Sequence, residues 1–288
     1  MSSEPDSKPL FRFSHKAMAT QWEIIITDTH DIVADDAARA AFNDLDLLED
    51  ELSRFRPTSD ICRLANMTKG AKFPLGLATY DCLDLAIDVF KETGGAFDIS
   101  VAPLMNLWRH PDGALLNPPK EAIAAALERT GMRSIRLDRD SLTAEVLLDH
   151  PELDLGGIGK GYALDQMAEV LREKEVTHAI MHAGTSTVLA LDPPDGETGW
   201  PVGADGDLLL ANQALSGSGF EVQGDHIIDP RTGHPVEAKH SQIWSLAPSA
   251  ALADALSTAF LIMSEDEIKA LCERHAPDIE VRFPVLPH

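Results

Sequence analysis

An aspartate and a threonine, Asp254 and Thr258, lie four residues apart within an otherwise apolar stretch, ALADALSTAF. Side chains at this spacing share one face of a helix. A carboxylate on so apolar a helix needs a partner if it is buried, and a hard cation with oxygen ligands would supply one. The pair is therefore a candidate metal site. A solvent-facing charge or a hydrogen bond within the helix would also account for Asp254 taken alone.

A histidine, His226, precedes the sequence DPRTG, which covers Asp229 to Gly233. Asp-Pro and Thr-Gly are turn signals, so these five residues are expected to form a tight exposed loop between extended segments. A histidine at the edge of this turn, followed by a carboxylate and a hydroxyl on one helix face, indicates a functional site. Taken on its own, His226 would more often be an ordinary loop histidine.

A glycine cluster, LDLGGIGKGYALD, leads into a predicted helix and contains Gly157 and Lys160. Glycines before a helix allow backbone N–H groups to approach an anion, and the helix dipole favours negative charge there. The cluster is not a Walker A loop, because Lys160 is followed by glycine, and Tyr162 stands where the third glycine of GxGxxG would fall. A phosphate site and a plain tight turn with a surface lysine both remain open.

The elements that must position these residues alternate irregularly along the chain. Hydrophobic periodicity predicts helices over 32–55, 77–93, 120–129 and 264–275 and after the glycine cluster, and strands over 20–27, 134–138, 142–148 and 279–285. Ser264 and Glu267 predict a capped start for the last helix. Helices and strands without a βαβ rhythm favour an α+β fold over a doubly wound sheet.

Composition limits the partners that the protein can have. The chain of 288 residues has a formal net charge of −23, which argues against binding to nucleic acid or to anionic lipid. An acidic, well-solvated surface is the simplest interpretation of this charge. The three cysteines are widely spaced, with no zinc-type cluster, as is typical of a reducing compartment.

The amino-terminal segment, MSSEPDSKPL, has no secretion signal or lipobox, and no apolar run in the chain is long enough to span a bilayer. As the sequence stands, a cytoplasmic location is expected. Residues 1–12 are expected to be a flexible tail and residues 13–288 a single domain.

Six motifs carry a resemblance to a known family: AMATQWEI, LSRFRPTSDICRLAN, TGGAFDISVAPLMNLW, LDLGGIGKGYALD, SGSGF…HIIDPRTG and ADALSTA. In this order, over about residues 13–263, the sequence resembles the FAD:protein FMN transferase (ApbE-like) family. The resemblance implies a single α+β domain with a T-fold-like core that binds FAD in a cleft. It also implies a Mg²⁺-dependent reaction that cleaves FAD, releases AMP and attaches FMN through a phosphoester to a threonine of an acceptor protein.

The resemblance also implies roles for particular residues. Mg²⁺ would be bound by Asp254, by Thr258 and by the backbone carbonyl of Gly157, and His226 would be the base that takes the threonine proton. The residues expected to contact or shape the FAD site are Met18, Asp98, Gly157, Lys160, Thr185, Ser186, Ser216, Asp229 and Thr232.

The sequence departs from the family pattern at Gly184-Thr185-Ser186, where Gly-Gly-Asp is usual. Hydroxyl groups there would have to replace a carboxylate in contacting the ligand. Phe220 also stands where tyrosine is common. Two alternatives to the transferase therefore stay open, an FAD pyrophosphatase that releases FMN and AMP and a non-catalytic FAD-binding protein. The retained His226, Asp254 and Thr258 favour catalysis, and the missing carboxylate favours the binding protein. The identity of the acceptor and the choice between monomer and dimer are not indicated.

Overall fold

The computed structural model describes residues 9–108, 116–203, 206, 208–219, 227–236 and 240–283. The helices within these residues are α1 (Asp31–Leu52), α2 (Asp60–Ala65), α3 (Leu77–Glu92), α4 (Ala102–Trp108), α5 (Lys120–Leu127), α6 (Gly159–Glu173), α7 (Ala250–Ile262) and α8 (Glu265–Arg274). The strands are β1 (Phe11–Ala17), β2 (Thr20–Ile26), β3 (Lys72–Pro74), β4 (Ile135–Asp138), β5 (Thr143–Val146), β6 (Ala179–Ala183), β7 (Thr187–Ala190), β8 (Trp200–Val202), β9 (Leu208–Leu210), β10 (Gln213–Gly219), β11 (Ile228–Asp229), β12 (His234–Pro235), β13 (Gln242–Ala247) and β14 (Glu280–Arg282).

A seven-stranded antiparallel sheet with the strand order β1-β2-β6-β7-β10-β13-β14 is the centre of the described structure. Strands β1 and β2 form a hairpin in which Ala17 is paired with Thr20, so Met18 and Ala19 form the turn. Both turn residues have positive φ, 47° and 58°. This is the backbone of a two-residue hairpin turn that follows the twist of the strands, and non-glycine residues adopt it only at some cost.

Apolar residues cover both faces of this sheet. On one face α6 packs against α1 and α7, and α7 lies on β10 and β13. Trp22, Ile24 and Phe260 are among the fully buried side chains of this layer. On the other face Ile25 and its neighbours pack against Trp200 of the β8–β9 hairpin. Since successive side chains of a strand point to opposite faces, the apolar run Ile24-Ile25-Ile26 in β2 contributes to both layers.

The mixed α+β architecture predicted from the sequence is confirmed. Ser264 caps α8 in a capping box with Glu267, also as predicted. Two predictions were wrong in detail. The first ordered strand begins at Phe11, inside the expected tail, because Phe11 pairs with Ile26 across the hairpin. Strand β8 also lies where the sequence patterns predict no strand, because residues 192–206 are rich in Pro, Gly and Asp and so favour a loop.

Candidate active site

Asp254 lies in the middle of α7 and is only 4 % exposed. One carboxylate oxygen accepts hydrogen bonds from Ser216 (3.3 Å) and Thr187 (3.4 Å), and the other accepts one from the Gly161 N–H (3.2 Å). The Lys160 ammonium lies 3.7 Å from the same carboxylate. The buried aspartate thus has several partners, as the sequence requires, but all of these contacts are long.

Thr258 follows one helical turn later and faces Gly157. A Cβ atom added to Gly157 would lie 3.2 Å from Thr258 Oγ1 and 3.3 Å from the Phe97 ring, so the absence of a side chain at Gly157 gives this helix room. Ser218 contacts Thr258 through its hydroxyl at 3.4 Å and is itself bonded to Ser257 at 2.8 Å. The structure therefore brings together the three residues predicted as metal ligands, which lie about a hundred residues apart in sequence.

The oxygen donors at this point fit a hard cation such as Mg²⁺. They comprise the Asp254 carboxylate, the Thr258 hydroxyl and the backbone of Gly157. The Asp254 charge is buried and has no short contact with a cationic side chain among the described residues, which leaves it available to a metal ion. Within the same residues no group of three or more His, Cys, Asp or Glu side chains is placed to bind a metal. Any ion here would complete its coordination with water or with phosphate oxygens.

Two cavities lie beside this point. The first, of about 290 Å³, is lined mainly by apolar side chains together with Asp98, Gly157 and Thr258. The second, of about 300 Å³, contains Met18 and Lys160 in its lining. Because Asp154 and Gly156 line both cavities, the glycine segment before α6 forms the boundary between them.

Asp154 was not singled out from the sequence, although it occupies this boundary. Its carboxylate accepts the Gly156 N–H at 2.9 Å and pairs with Arg54 at 2.9 Å. Its own N–H donates to the Ile99 carbonyl at 2.7 Å. An aspartate two residues before a glycine is a known turn signal, which could have identified Asp154. Nothing in the sequence indicates that Arg54, a hundred residues earlier, is its partner.

Lys160 and Met18 line the second cavity from two different elements. Lys160 is in the first turn of α6, where its ammonium donates to the Gly156 carbonyl at 3.2 Å. Met18 reaches the cavity from the hairpin turn, where its backbone has positive φ. The cavity therefore combines a positive charge near a helix N-terminus, which suits an anion, with a strained turn of the kind often found at functional sites.

Asp98 lines the first cavity, but its hydrogen bonds go to the protein. It accepts the N–H and the hydroxyl of Ser100 at 2.8 and 2.6 Å and the Gly131 N–H at 2.7 Å. Burial raises the pKa of its carboxyl, and the hydrogen bonds from Ser100 oppose this rise. The Asp98 carboxylate therefore links the segment that contains Ser100 to the segment that contains Gly131.

Three further residues predicted to contact FAD are Thr185, Ser186 and Ser216. Thr185 is exposed in the turn between β6 and β7, and the Ser186 carbonyl accepts the Gly217 N–H at 2.8 Å. Ser216 is fully buried behind Asp254. None of the three lines either cavity. The Ser216 hydroxyl helps to hold the candidate metal ligand Asp254. A ligand could contact Thr185 only at the protein surface, outside the two cavities.

Asp229 and Thr232 hold the turn next to the first cavity. Asp229 accepts hydrogen bonds from the Arg231 guanidinium with both oxygens, at distances as short as 3.0 Å, and the guanidinium also pairs with Glu267 at 2.8 Å. The Thr232 hydroxyl accepts the His234 N–H at 3.3 Å. Strands β11 and β12 flank this turn, so the predicted loop between extended segments is confirmed.

His226, the candidate base, and Phe220 lie outside the described residues. Ile227, which directly follows His226 in the chain, lines the first cavity. The described structure therefore brings the chain to this cavity at the position next to the histidine.

A central antiparallel sheet, helices that cover one face, and two cavities near a buried aspartate and a half-buried threonine define an α+β protein with an enzyme-like cleft. The ApbE family model matches residues 18–283, and the chain belongs to this family.

Relatives support this assignment. The FAD:protein FMN transferase of Klebsiella pneumoniae (strain 342) is 27 % identical over 274 residues, which are 88 % of this chain and 78 % of that protein. The protein of the same name from Escherichia coli (strain K12) is 25 % identical over 284 residues, 90 % and 80 % of the two chains.

Solved structures share the fold. The apo form of the Pseudomonas stutzeri flavinyl transferase ApbE superposes with a TM-score of 0.83 at 24 % identity, over 96 % of this chain and 93 % of that one. The ApbE protein of Thermotoga maritima gives a TM-score of 0.79 at 24 % identity, over 95 % and 93 %. In the part of the chain that the structure describes, no helix has the length and apolar character needed to cross a bilayer.

Proposed function

We propose that this protein is an FAD:protein FMN transferase that transfers FMN from FAD to a threonine hydroxyl of an acceptor protein and releases AMP. The observation that carries the proposal is that buried Asp254 lies one helical turn from Thr258, which lines the first cavity together with Gly157, next to the segment of Asp154 and Gly156 that borders both cavities. The sizes of the two cavities suit a ligand with two ring systems joined by a pyrophosphate. The relatives of the same family that bear this enzyme name cover most of the chain.

Asp254, Thr258 and the Gly157 carbonyl would hold Mg²⁺, which when bound neutralises charge on the phosphate oxygens. Lys160 adds a positive charge on the side of the second cavity. The largely apolar lining of the first cavity would limit the access of water to one side of the reacting phosphate. These residues together favour attack on phosphorus without any covalent bond to the enzyme.

In the proposed step the threonine oxygen of the acceptor bonds to the FMN phosphorus, and the bond from that phosphorus to the AMP oxygen breaks. The hydroxyl proton passes to His226, and AMP leaves with the bridging oxygen. His226 must be neutral near pH 7 to accept this proton. The role is assigned to His226 because this residue directly precedes Ile227, which lines the first cavity.

The test is to incubate the protein with FAD and Mg²⁺, with and without a threonine-bearing flavin-acceptor domain, and to measure AMP release and the intact mass of the acceptor. We expect AMP together with a gain in acceptor mass equal to one FMN phosphoester. Asp254→Asn should lose the Mg²⁺-dependent activity, and Asp266→Asn, a matched change at an exposed position of α8, should retain it.

One feature favours a second function, that of an FAD-binding protein. The turn at Thr185-Ser186 lacks the carboxylate that is usual in the family. If FAD is retained tightly and no AMP appears under either condition, the protein is an FAD-binding protein and the transferase proposal is wrong. If AMP appears with free FMN and no acceptor gains mass, the same site acts as an FAD pyrophosphatase with water as the acceptor.

A further inference from the structure

Asp165 is a partly buried carboxylate on α6 that takes no part in the chemistry described above. One of its oxygens accepts the Ala250 N–H at 2.7 Å and the other accepts the Ala251 N–H at 2.9 Å. These are the first two residues of α7, whose N–H groups have no partners within the helix. Ser249 caps the third, at Leu252. A side chain of a different helix thus supplies half of the cap of the helix that carries the candidate metal ligands.

Helices α6 and α7 touch again one turn away from this cap. The Gly161 N–H donates to Asp254 at 3.2 Å. The two contacts are reciprocal, because an aspartate of each helix accepts a backbone N–H of the other helix. In both helices the donor lies four residues before the aspartate. A Cβ atom added to Gly161 would lie only 2.1 Å from the Ala250 carbonyl oxygen. The two helices are therefore in backbone contact, and the same contact holds Asp254.

The apolar surface of α7 cannot fix its position by itself. Alanines make up much of the buried surface of the helix: Ala250, Ala251, Ala253, Ala255 and Ala259. Apolar burial is non-directional, and small side chains offer few protrusions to interlock with neighbouring helices. Directional hydrogen bonds from charged groups are stronger and more specific in geometry, and a carboxylate at a helix N-terminus is also favoured by the helix dipole.

We propose that Asp165 is a positioning residue that sets the depth and rotation of α7 against α6, and thereby places Asp254 and Thr258 for a divalent cation. This inference rests on the proposed metal site. Asp165 itself touches neither the cation nor FAD. Oxygen ligands must lie within a few tenths of an ångström of their places for Mg²⁺ to bind well, so a small shift of α7 should be felt mainly as weaker cation binding.

The test compares Asp165→Ala and Asp165→Asn with Ser264→Ala, which removes the side-chain cap of α8, a helix that carries none of the candidate metal ligands. Dissociation constants for Mn²⁺, used as a paramagnetic probe for the Mg²⁺ site, are measured on the full chain with FAD present. Asp165→Ala should weaken Mn²⁺ binding about tenfold or more, and Asp165→Asn less, because its amide oxygen can still accept one N–H. Ser264→Ala, at a similar loss of Tm, should stay within about twofold of the wild type.

Hydrogen exchange along α7 provides a readout that does not depend on the metal. Asp165→Asn should speed amide exchange from Ala250 to Thr258, and Ser264→Ala should not. If the wild type binds no Mn²⁺, the metal assignment of the proposed function fails, and the exchange result alone decides whether Asp165 positions α7. Unchanged α7 exchange in Asp165→Asn, or Mn²⁺ binding in Asp165→Ala equal to that of the wild type, would overturn the inference.

Discussion

The candidate metal residues differ in how firmly the protein holds them. Asp254 is fixed by three donors, Thr187, Ser216 and Gly161. Thr258 is half-buried, and its hydroxyl has only weak contacts, at 3.4 Å to Ser218 and 3.5 Å to the Asp254 carbonyl. A hydroxyl with weak protein contacts can turn toward a cation at little cost. Of these two candidate metal ligands, Thr258 is therefore the one whose side chain would move more when a cation binds.

Thr258→Val tests the ligand role of this hydroxyl. Valine keeps the shape of the side chain but removes its oxygen, so we expect the Mg²⁺ concentration for half-maximal AMP release to rise about tenfold, with little change in Tm. Ser257→Ala removes the neighbouring buried hydroxyl, which bonds to Ser218 and lines neither of the two cavities. That control should cost about 1 kcal/mol of stability and leave the Mg²⁺ dependence unchanged. The reverse pattern would place the cation elsewhere.

Sequence reasoning reached Asp254 and Thr258 because a carboxylate on an apolar helix needs a physical explanation. It missed Asp154 and Arg54, since an ion pair between residues a hundred positions apart leaves no local pattern. Ser218 could have been found, because it alternates with Ser216 along one strand and both point toward α7. Asp98 was singled out as a cofactor contact, and its ligand-binding role stays a prediction beside its observed role in the loops.

At the scale of secondary-structure elements, the packing of α6 on α7 sets the site. Two glycines of α6 allow this packing to be tested within a single helix. An added Cβ at Gly161 would lie 2.1 Å from the Ala250 carbonyl oxygen, and one at Gly159 would meet nothing closer than 3.6 Å.

Gly161→Ala should therefore destabilise the protein by about 1–3 kcal/mol, because α7 must move away from α6. Gly159→Ala should be neutral or stabilising by up to about 1 kcal/mol, since alanine is the better helix former. Urea unfolding of the two variants measures the difference. Equal stabilities would show that the helices can separate without cost.

Asp165 also predicts a pH dependence. Burial raises the pKa of its carboxyl to about 6, although the N–H groups of Ala250 and Ala251 oppose the rise. Between about pH 4 and pH 6 the folded protein then binds more protons than the unfolded chain, so this group makes the protein less stable as the pH rises. The unfolding free energy of the wild type minus that of Asp165→Asn should fall by about 3 kcal/mol from pH 4 to pH 7. Denaturant unfolding at each pH checks this, and a difference that does not vary with pH would contradict it.

Helices were easier to predict than strands. The period of apolar residues located α1, α3 and α8 to within a few residues. Strand β1 was missed because its residues are mostly polar and half-exposed at the edge of the sheet. The order of the strands could not be predicted. Strand β6 is paired with β2 in the sheet, although most of the described helices separate these two strands along the chain. Strand pairing of this kind is decided by packing and not by local propensity.

At the scale of the whole molecule, the charge is strongly unbalanced, with 47 acidic against 24 basic residues. Repulsion among like charges destabilises a compact state and is screened by salt. We expect Tm to rise by a few degrees between about 10 and 200 mM NaCl, measured by calorimetry with EDTA present so that no divalent cation contributes. A non-ionic solute at equal osmolarity is the control. A fall in Tm with salt would show that ion pairs such as Arg231–Glu267 outweigh the repulsion.

The position of α7 in the chain has a consequence for biosynthesis. The helix comes near the end of the described chain, and it covers the sheet face formed by β10 and β13 while contributing eleven buried residues. Until the ribosome has released residue 262, that face has no cover and Gly157 has no Thr258 to meet. Between the synthesis of β13 and that of α7, the nascent protein would therefore present this apolar face to chaperones. The candidate cleft would be assembled only after α7 has been made, and FAD and metal would find no site before then.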